Sequence, residues 1–78
     1  MIIKVPVLKW QRDATRDRSV LMPDGDMLLN CRYMIQATSM NNLDATSMEF
    51  SYGEGIRVFV TSHTLAQVYA AIDRSTSL

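Results

Sequence analysis

The stretch from Tyr33 to Ile72 constrains the fold most, because it carries two turn signals between alternating runs and then changes to a helical period. Asn41-Asn42-Leu43-Asp44 is rich in turn formers and lies between two alternating runs. Pairing outward from it sets Met40 opposite Ala45, Ala37 opposite Met48, Ile35 opposite Phe50 and Tyr33 opposite Tyr52. Side chains alternate faces along a strand, so one face collects Tyr33, Ile35, Ala37, Met48, Phe50 and Tyr52. The other collects Gln36, Thr38, Ser47, Glu49 and Ser51, with Met34 out of place among them. A slip of one residue would mix the two sets, so the pattern specifies its register.

The same logic addresses the second turn. A two-residue Gly53-Glu54 loop would set Phe50 opposite Arg57. A three-residue Gly53-Glu54-Gly55 loop sets Tyr52, Phe50 and Met48 opposite Ile56, Val58 and Val60, which keeps the apolar face continuous. The three-residue loop is therefore expected, with Gly55 in its left-handed position. A helix follows, capped by Ser62, with Leu65, Val68, Tyr69 and Ile72 as one apolar stripe and Arg74 in the last turn. Ile35, Phe50, Val58, Val60, Leu65, Val68 and Ile72 form the expected core.

The segment before Tyr33 reads as cladding for that unit. Ile2 to Leu8 is a β-branched run, and Pro6, which donates no hydrogen bond, puts this strand at a sheet edge or a bulge. Lys9 to Arg18 is the most charged piece. It reads as a solvated loop with Trp10 folded back on the core edge. Its functional reading is a basic-aromatic patch of Trp10, Arg12, Arg16 and Arg18 that touches a partner. Pro23-Asp24-Gly25-Asp26 reads as a turn between Ser19–Met22 and Met27–Asn30, which makes a short hairpin arm. Asp24, Asp26 and Asn30 lack the further oxygen ligands and closing Glu of a calcium loop. The short repeat Ala37-Thr38-Ser39-Met40 and Ala45-Thr46-Ser47-Met48 faces itself across one turn and is too short for a solenoid.

Seventy-eight residues with 47% apolar content make one domain with a real core, near the small end of what folds unaided. It divides into 1–32 (strand, charged loop, hairpin arm), 33–74 (three-stranded meander and helix) and a frayed tail, 75–78. A lone Cys31 forms no internal disulfide. Eight basic residues cancel eight acidic ones, which disfavours nucleic acid and anionic membranes as partners. No apolar run approaches the roughly 20 residues that cross a bilayer, and residues 1–8 do not resemble a signal peptide, so a cytoplasmic protein is expected.

Catalytic equipment is sparse. His63 and Cys31 stand alone, too few for a three- or four-ligand zinc site, and a Cys31–His63 nucleophilic pair lacks an orienting third group. Gly53-Glu54-Gly55 leads into a strand, not into a helix that would cradle phosphate. No metal, cofactor or catalytic residue is expected. Met34 and Phe59 fall on the otherwise polar sheet face in the expected register, which marks that face as an interface.

Leu29-Asn30, Ile35, a turn at Gly55, Val60 and a closing helix with Val68 and Ile72 set out a strand-turn-strand-helix order. In this layout the chain from Leu28 to Arg74 resembles the small flagellar and swarming-motility proteins of the FlbD-like family. The resemblance implies a non-enzymatic regulatory or assembly role and carries no catalytic motif over. The Lys9–Arg18 segment and the longer Asn41–Asp44 loop depart from that family's compactness.

The expected architecture is α+β: an antiparallel sheet of four or five strands with one C-terminal helix across one face. The expected function is a non-enzymatic interaction or assembly protein, self-associating as a homodimer through a free strand edge or the Met34–Phe59 face. The alternatives are a nucleic-acid-binding regulator, marked by arginines on one surface, and a small-molecule-binding protein or enzyme subunit, marked by a pocket holding Cys31 and His63.

Overall fold

The computed structural model describes residues 1–40 and 43–76, and the side chains of 1–40 and 43–75. Among the described residues five strands, β1 (Ile2–Asp13), β2 (Arg18–Asn30), β3 (Met34–Ser39), β4 (Thr46–Ser51) and β5 (Ile56–Thr61), precede a single α-helix, α1 (Leu65–Thr76). They form one antiparallel sheet in the order β2-β1-β5-β4-β3, so the α+β architecture expected from the sequence is the one observed. A 3-10 turn, Cys31–Tyr33, links β2 to β3, and the Asn30 side chain caps it by accepting the Arg32 N–H at 3.0 Å.

β1 and β2 build one long hairpin where a loop and a short arm were expected. Lys9–Asp13 is strand, and the reversal is confined to Ala14–Asp17. There the Asp13 carboxylate accepts the N–H groups of Thr15 and Arg16, an Asx-type turn that holds the tip together. Pro23-Asp24-Gly25-Asp26 is not a turn. Between its pairings with Pro6 and Leu8, β2 runs from Asp26 to Pro23, one residue more than β1 needs. The extra residue makes a β-bulge, with Gly25 at φ 79°. Pro6 sits at this bulge, one of the two places its missing donor allowed.

The meander keeps Ala37 opposite Met48, and the Met40 N–H donates to the Ala45 carbonyl at 3.0 Å, as the sequence suggested. Asn41 and Asn42, half of the expected four-residue loop, lie outside the described residues. A bulge at Ile35 then sets Met34, not Ile35, opposite Phe50. Met34 turns in against the core and Ile35 is exposed. The apparent misfit in the alternation was the bulge's signature.

The second turn is the two-residue one. Phe50 pairs with Arg57 and Met48 with Phe59, and Gly53 (φ 88°) takes the first loop position as a type II′ turn requires. Phe59 therefore faces inward, its ring edge-on to Phe50 at 5.7 Å, while Ile56 and Val58 face out. The inward row can include hydroxyls because they are bonded. Thr46 and Thr61, paired across β4 and β5, are fully buried. Thr46 Oγ1 donates to the His63 carbonyl at 2.8 Å, and Thr61 Oγ1 accepts the His63 N–H at 3.2 Å. These bonds fix the chain where it leaves the sheet for the helix.

Thr64, not Ser62, caps α1. Its hydroxyl accepts the Gln67 N–H at 3.1 Å, and the Gln67 side chain accepts the Thr64 N–H at 2.7 Å, a reciprocal capping box. This start rotates the buried stripe: Val68 is buried and Ala71 and Ile72 pack on the core, while Leu65 and Tyr69 are exposed. Ser75 belongs to the helix rather than to a tail, its hydroxyl donating to the Ile72 carbonyl at 2.8 Å. Ser77 and Leu78 lie outside the described residues. The core is Ile3, Val5, Val7, Leu29, Met48, Phe50 and Val68. Of the residues expected there, Ile35, Val58 and Leu65 are instead exposed.

Candidate interaction surface

Helix α1 packs against β1 and β3 on the core side of the sheet. By strand alternation Ile2, Leu8, Trp10, Leu28, Ile56, Val58 and Val60 point to the opposite side, which no helix covers. Leu8 and Val60, neighbours across β1 and β5, are half-buried by the strands around them. The others are open to solvent: Leu28 is 68% exposed, Ile56 62%, Val58 57% and Trp10 54%. Toward β4 and β3 this face becomes polar, with Ser47, Ser51 and a Gln36–Glu49 hydrogen bond of 3.0 Å.

An open cleft of about 450 Å³ adjoins the apolar part. Met27–Leu29 of β2 form one wall, and the β4–β5 hairpin from Tyr52 to Phe59 forms the other. Leu28 and Ile56, both largely exposed, belong to this lining. A row of rings backs it: Tyr33 lies 5.6 Å from Tyr52, and Tyr52 stacks on Phe50 at 5.9 Å. Glu54 and Arg57 are its charged lining residues.

β1 pairs with β5 only at Val7 and Leu8, so beyond Leu8 the β1–β2 hairpin continues as a two-stranded arm. The molecule is correspondingly elongated, 47 × 28 × 22 Å. The arm carries four of the side chains singled out from the sequence. Trp10, opposite Leu21, is not folded back on the core edge. Arg12 pairs with Asp17, Arg16 with Asp13 at 3.5 Å and Lys9 with Asp24 at 3.6 Å, so most of the tip's charge is cancelled locally. Arg18 has no ion-pair partner among the described residues.

Met34 and Phe59, expected on an interfacial sheet face, lie on the core side and pack against it. The bulge at Ile35 and the two-residue turn each shift the register by one and reverse the face. The outward residues that replace them, Ile56 and Val58, were visible to a stricter turn rule, since Gly53 followed by a non-glycine suits a two-residue type II′ loop.

The arginines do not gather on one surface. Arg12, Arg16 and Arg18 sit at the arm's tip, whereas Arg32 follows the far end of β2, roughly 40 Å of strand away. Neither Cys31 nor His63 lines the cleft or the smaller hollow beside Val20 and Met22. Among the described residues no three His, Cys, Asp or Glu side chains gather as metal ligands. Asp24 and Asp26, the residues of the calcium-loop comparison, pair instead with Lys9 and Lys4, each at 3.6 Å. No helix among the described residues is long and apolar enough to cross a membrane. Comparison with protein-family models, curated protein sequences and solved structures returned no match.

Proposed function

We propose that this chain is a non-enzymatic interaction and assembly module that associates with itself through the helix-free side of its sheet. The observation that carries the reading is the exposure of Leu28, Ile56, Val58 and Trp10 on that side. Together these side chains expose on the order of 500 Å², with the Lys4–Asp26 ion pair lying between Leu28 and Trp10 on the same side. A standard interface buries about 800 Å² on each partner, so these side chains with the polar residues among them are of the right size. A twofold dimer is the commonest way to cover such a surface. A cytoplasmic setting, and the assembly role implied by the resemblance to the FlbD-like family, belong to the same reading.

Sedimentation over about a hundredfold range of concentration tests it, because mass action moves a dimer–monomer equilibrium across such a range. The parent is expected to rise to twice the chain mass. Val58→Asp is expected to stay monomeric with an unchanged circular dichroism spectrum, since Val58 is exposed in the single chain. A parent that remains monomeric at the highest concentration refutes the proposal.

A further inference from the structure

We infer that two copies join through the open edge of β1 in the arm, Lys9–Asp13 of one strand running antiparallel to Lys9–Asp13 of the other with Gln11 on the twofold axis. This contact rests on the self-association proposed above and adds backbone pairing to its side-chain docking.

The open edge follows from the hydrogen-bond pattern. The Tyr52 N–H donates to the Gly55 carbonyl at 3.4 Å and closes the β4–β5 hairpin. Antiparallel pairs alternate between bonded and non-bonded, so Arg57, Phe59 and Thr61 bond to β4, while Val60 turns its N–H and carbonyl toward β1. Its partner Leu8 faces β5 in return, and Trp10 and Arg12 turn their backbone groups the same way. Beyond Leu8 no residue of β5 pairs with β1, which leaves the edge of Trp10 and Arg12 open. Such an edge is a template for another extended strand. Unlike the edges of β2 and β3, Lys9–Asp13 contains neither a proline nor a bulge, and Trp10, Gln11 and Arg12 are all exposed.

The residues along this edge select a second copy. A twofold pairing must set Trp10 and Arg12, whose backbone groups point outward, against each other or themselves. Centred on Trp10, it would bring Arg12 against Leu8, which Val60 already occupies. Centred on Arg12, it opposes like charges and runs Trp10 into the turn at Ala14. Centred on Gln11, both Trp10–Arg12 pairs exchange N–H and carbonyl bonds. That register also sets each Lys9 across from the second copy's Asp13, opposite charges, and each Trp10 beside the second copy's Arg12, an indole and a guanidinium. Within the chain Lys9 meets Asp24 at 3.6 Å, and Asp13 accepts the Thr15 and Arg16 N–H groups and meets the Arg16 side chain at 3.5 Å. An ammonium offers three donors and a carboxylate about four acceptor sites, so both have room for a further partner. The pairing gives each two-stranded arm the neighbouring strands it needs for stability in water.

Single cysteines read the register. In a chain carrying Cys31→Ala, cysteines are placed one at a time at Lys9, Gln11 and Arg12 and oxidised at a concentration where the parent sediments as a dimer. Only Gln11→Cys faces its own copy, in a non-hydrogen-bonded pair with Cα atoms about 4.5 Å apart, within disulfide reach. Arg12→Cys meets its copy diagonally at about 7–8 Å, and Lys9→Cys lies further still. Covalent dimer is expected to form at least about tenfold faster from Gln11→Cys than from either neighbour. Backbone pairing is tested separately. Arg12→Pro removes an N–H that faces the open edge rather than β2, and should weaken association at least about tenfold more than Arg12→Ala, with the circular dichroism spectrum unchanged. A parent that dimerises while Gln11→Cys links no faster than its neighbours, or while Arg12→Pro and Arg12→Ala weaken it equally, overturns the edge pairing and leaves self-association standing. A parent that never dimerises overturns both.

Discussion

Phe59 and Val58 are neighbours whose fates depend wholly on the second turn, and truncating each in turn tests the register directly. With the two-residue loop, Phe59 is half-buried against the core and edge-on to Phe50 at 5.7 Å, while Val58 is 57% exposed. Truncating a fully buried Phe costs about 3–5 kcal/mol, so a half-buried one should cost about 2 kcal/mol. Loss of the edge-to-face pair adds roughly 1 kcal/mol. Phe59→Ala is thus expected to destabilise the fold by about 3 kcal/mol, and Val58→Ala by less than about 0.5 kcal/mol. A domain of this size holds only about 4–12 kcal/mol in all, so the first change is severe. Urea titration followed by circular dichroism measures both. With a slope of about 1 kcal/mol per molar, Phe59→Ala should lower the midpoint by about 3 M, or leave the chain unfolded at the start if the parent is less stable than that. Concentrations below dimer dissociation keep assembly out of the comparison. Val58→Ala costing more than Phe59→Ala would refute the register, because the three-residue loop exchanges the two environments.

Two further substitutions test local devices. Thr64→Ala removes one half of the capping box and should cost about 1 kcal/mol, whereas Ser62→Ala should stay within about 0.5 kcal/mol; equal losses in urea titration would argue that the helix starts earlier. Gly25→Ala should cost about 1 kcal/mol through the backbone alone, since φ is 79° and an added Cβ meets no heavy atom within 4 Å; a neutral effect would mean that the bulge relaxes without loss.

The sequence carried the architecture because its signals there were long. Thirty or so residues of alternation ending in a helical period leave few options besides a meander with a closing helix. What failed were decisions hanging on a single residue. Met34 looked like an error in the alternation and was the mark of a bulge. Gly55 looked like the required left-handed glycine, yet Gly53 occupies the first position of a tighter loop. Ser62 and Thr64 are both good caps, and Gln67, three residues after Thr64, distinguished them. Pro23-Asp24-Gly25-Asp26 has the composition of a turn, but turn and bulge ask the same thing of Gly25, a positive φ. Only the partner strand decides between them. With β1 running unbroken through Lys9–Asp13, continuous pairing with Arg18–Met22 outweighs the reversal. The candidate surface inherited these errors, since a one-residue slip sends every side chain of a strand to the other face.

The uncovered surface follows from the proportions of the elements. Twelve residues of α1 span about 18 Å, and a helix with its side chains is about 10–12 Å across. Five strands side by side span about 24 Å, and thirteen residues of β2 run to roughly 43 Å. One helix therefore covers the centre of one face and cannot reach the arm or the opposite side. A chain meant to stay monomeric would make that remainder polar, as β3 and β4 do with Gln36, Ser47 and Glu49. β1, β2 and β5 keep Trp10, Leu28, Ile56 and Val58 there instead. The edges are treated the other way. At the two outer edges, β2 carries Pro23 and a bulge flanked by ion-paired Asp24 and Asp26, and β3 is short and bulged, devices that discourage strand-to-strand addition there. Under the proposed self-association by side-chain docking on the apolar face, removing these outer-edge devices should leave any self-association unchanged, while charging the face should abolish it.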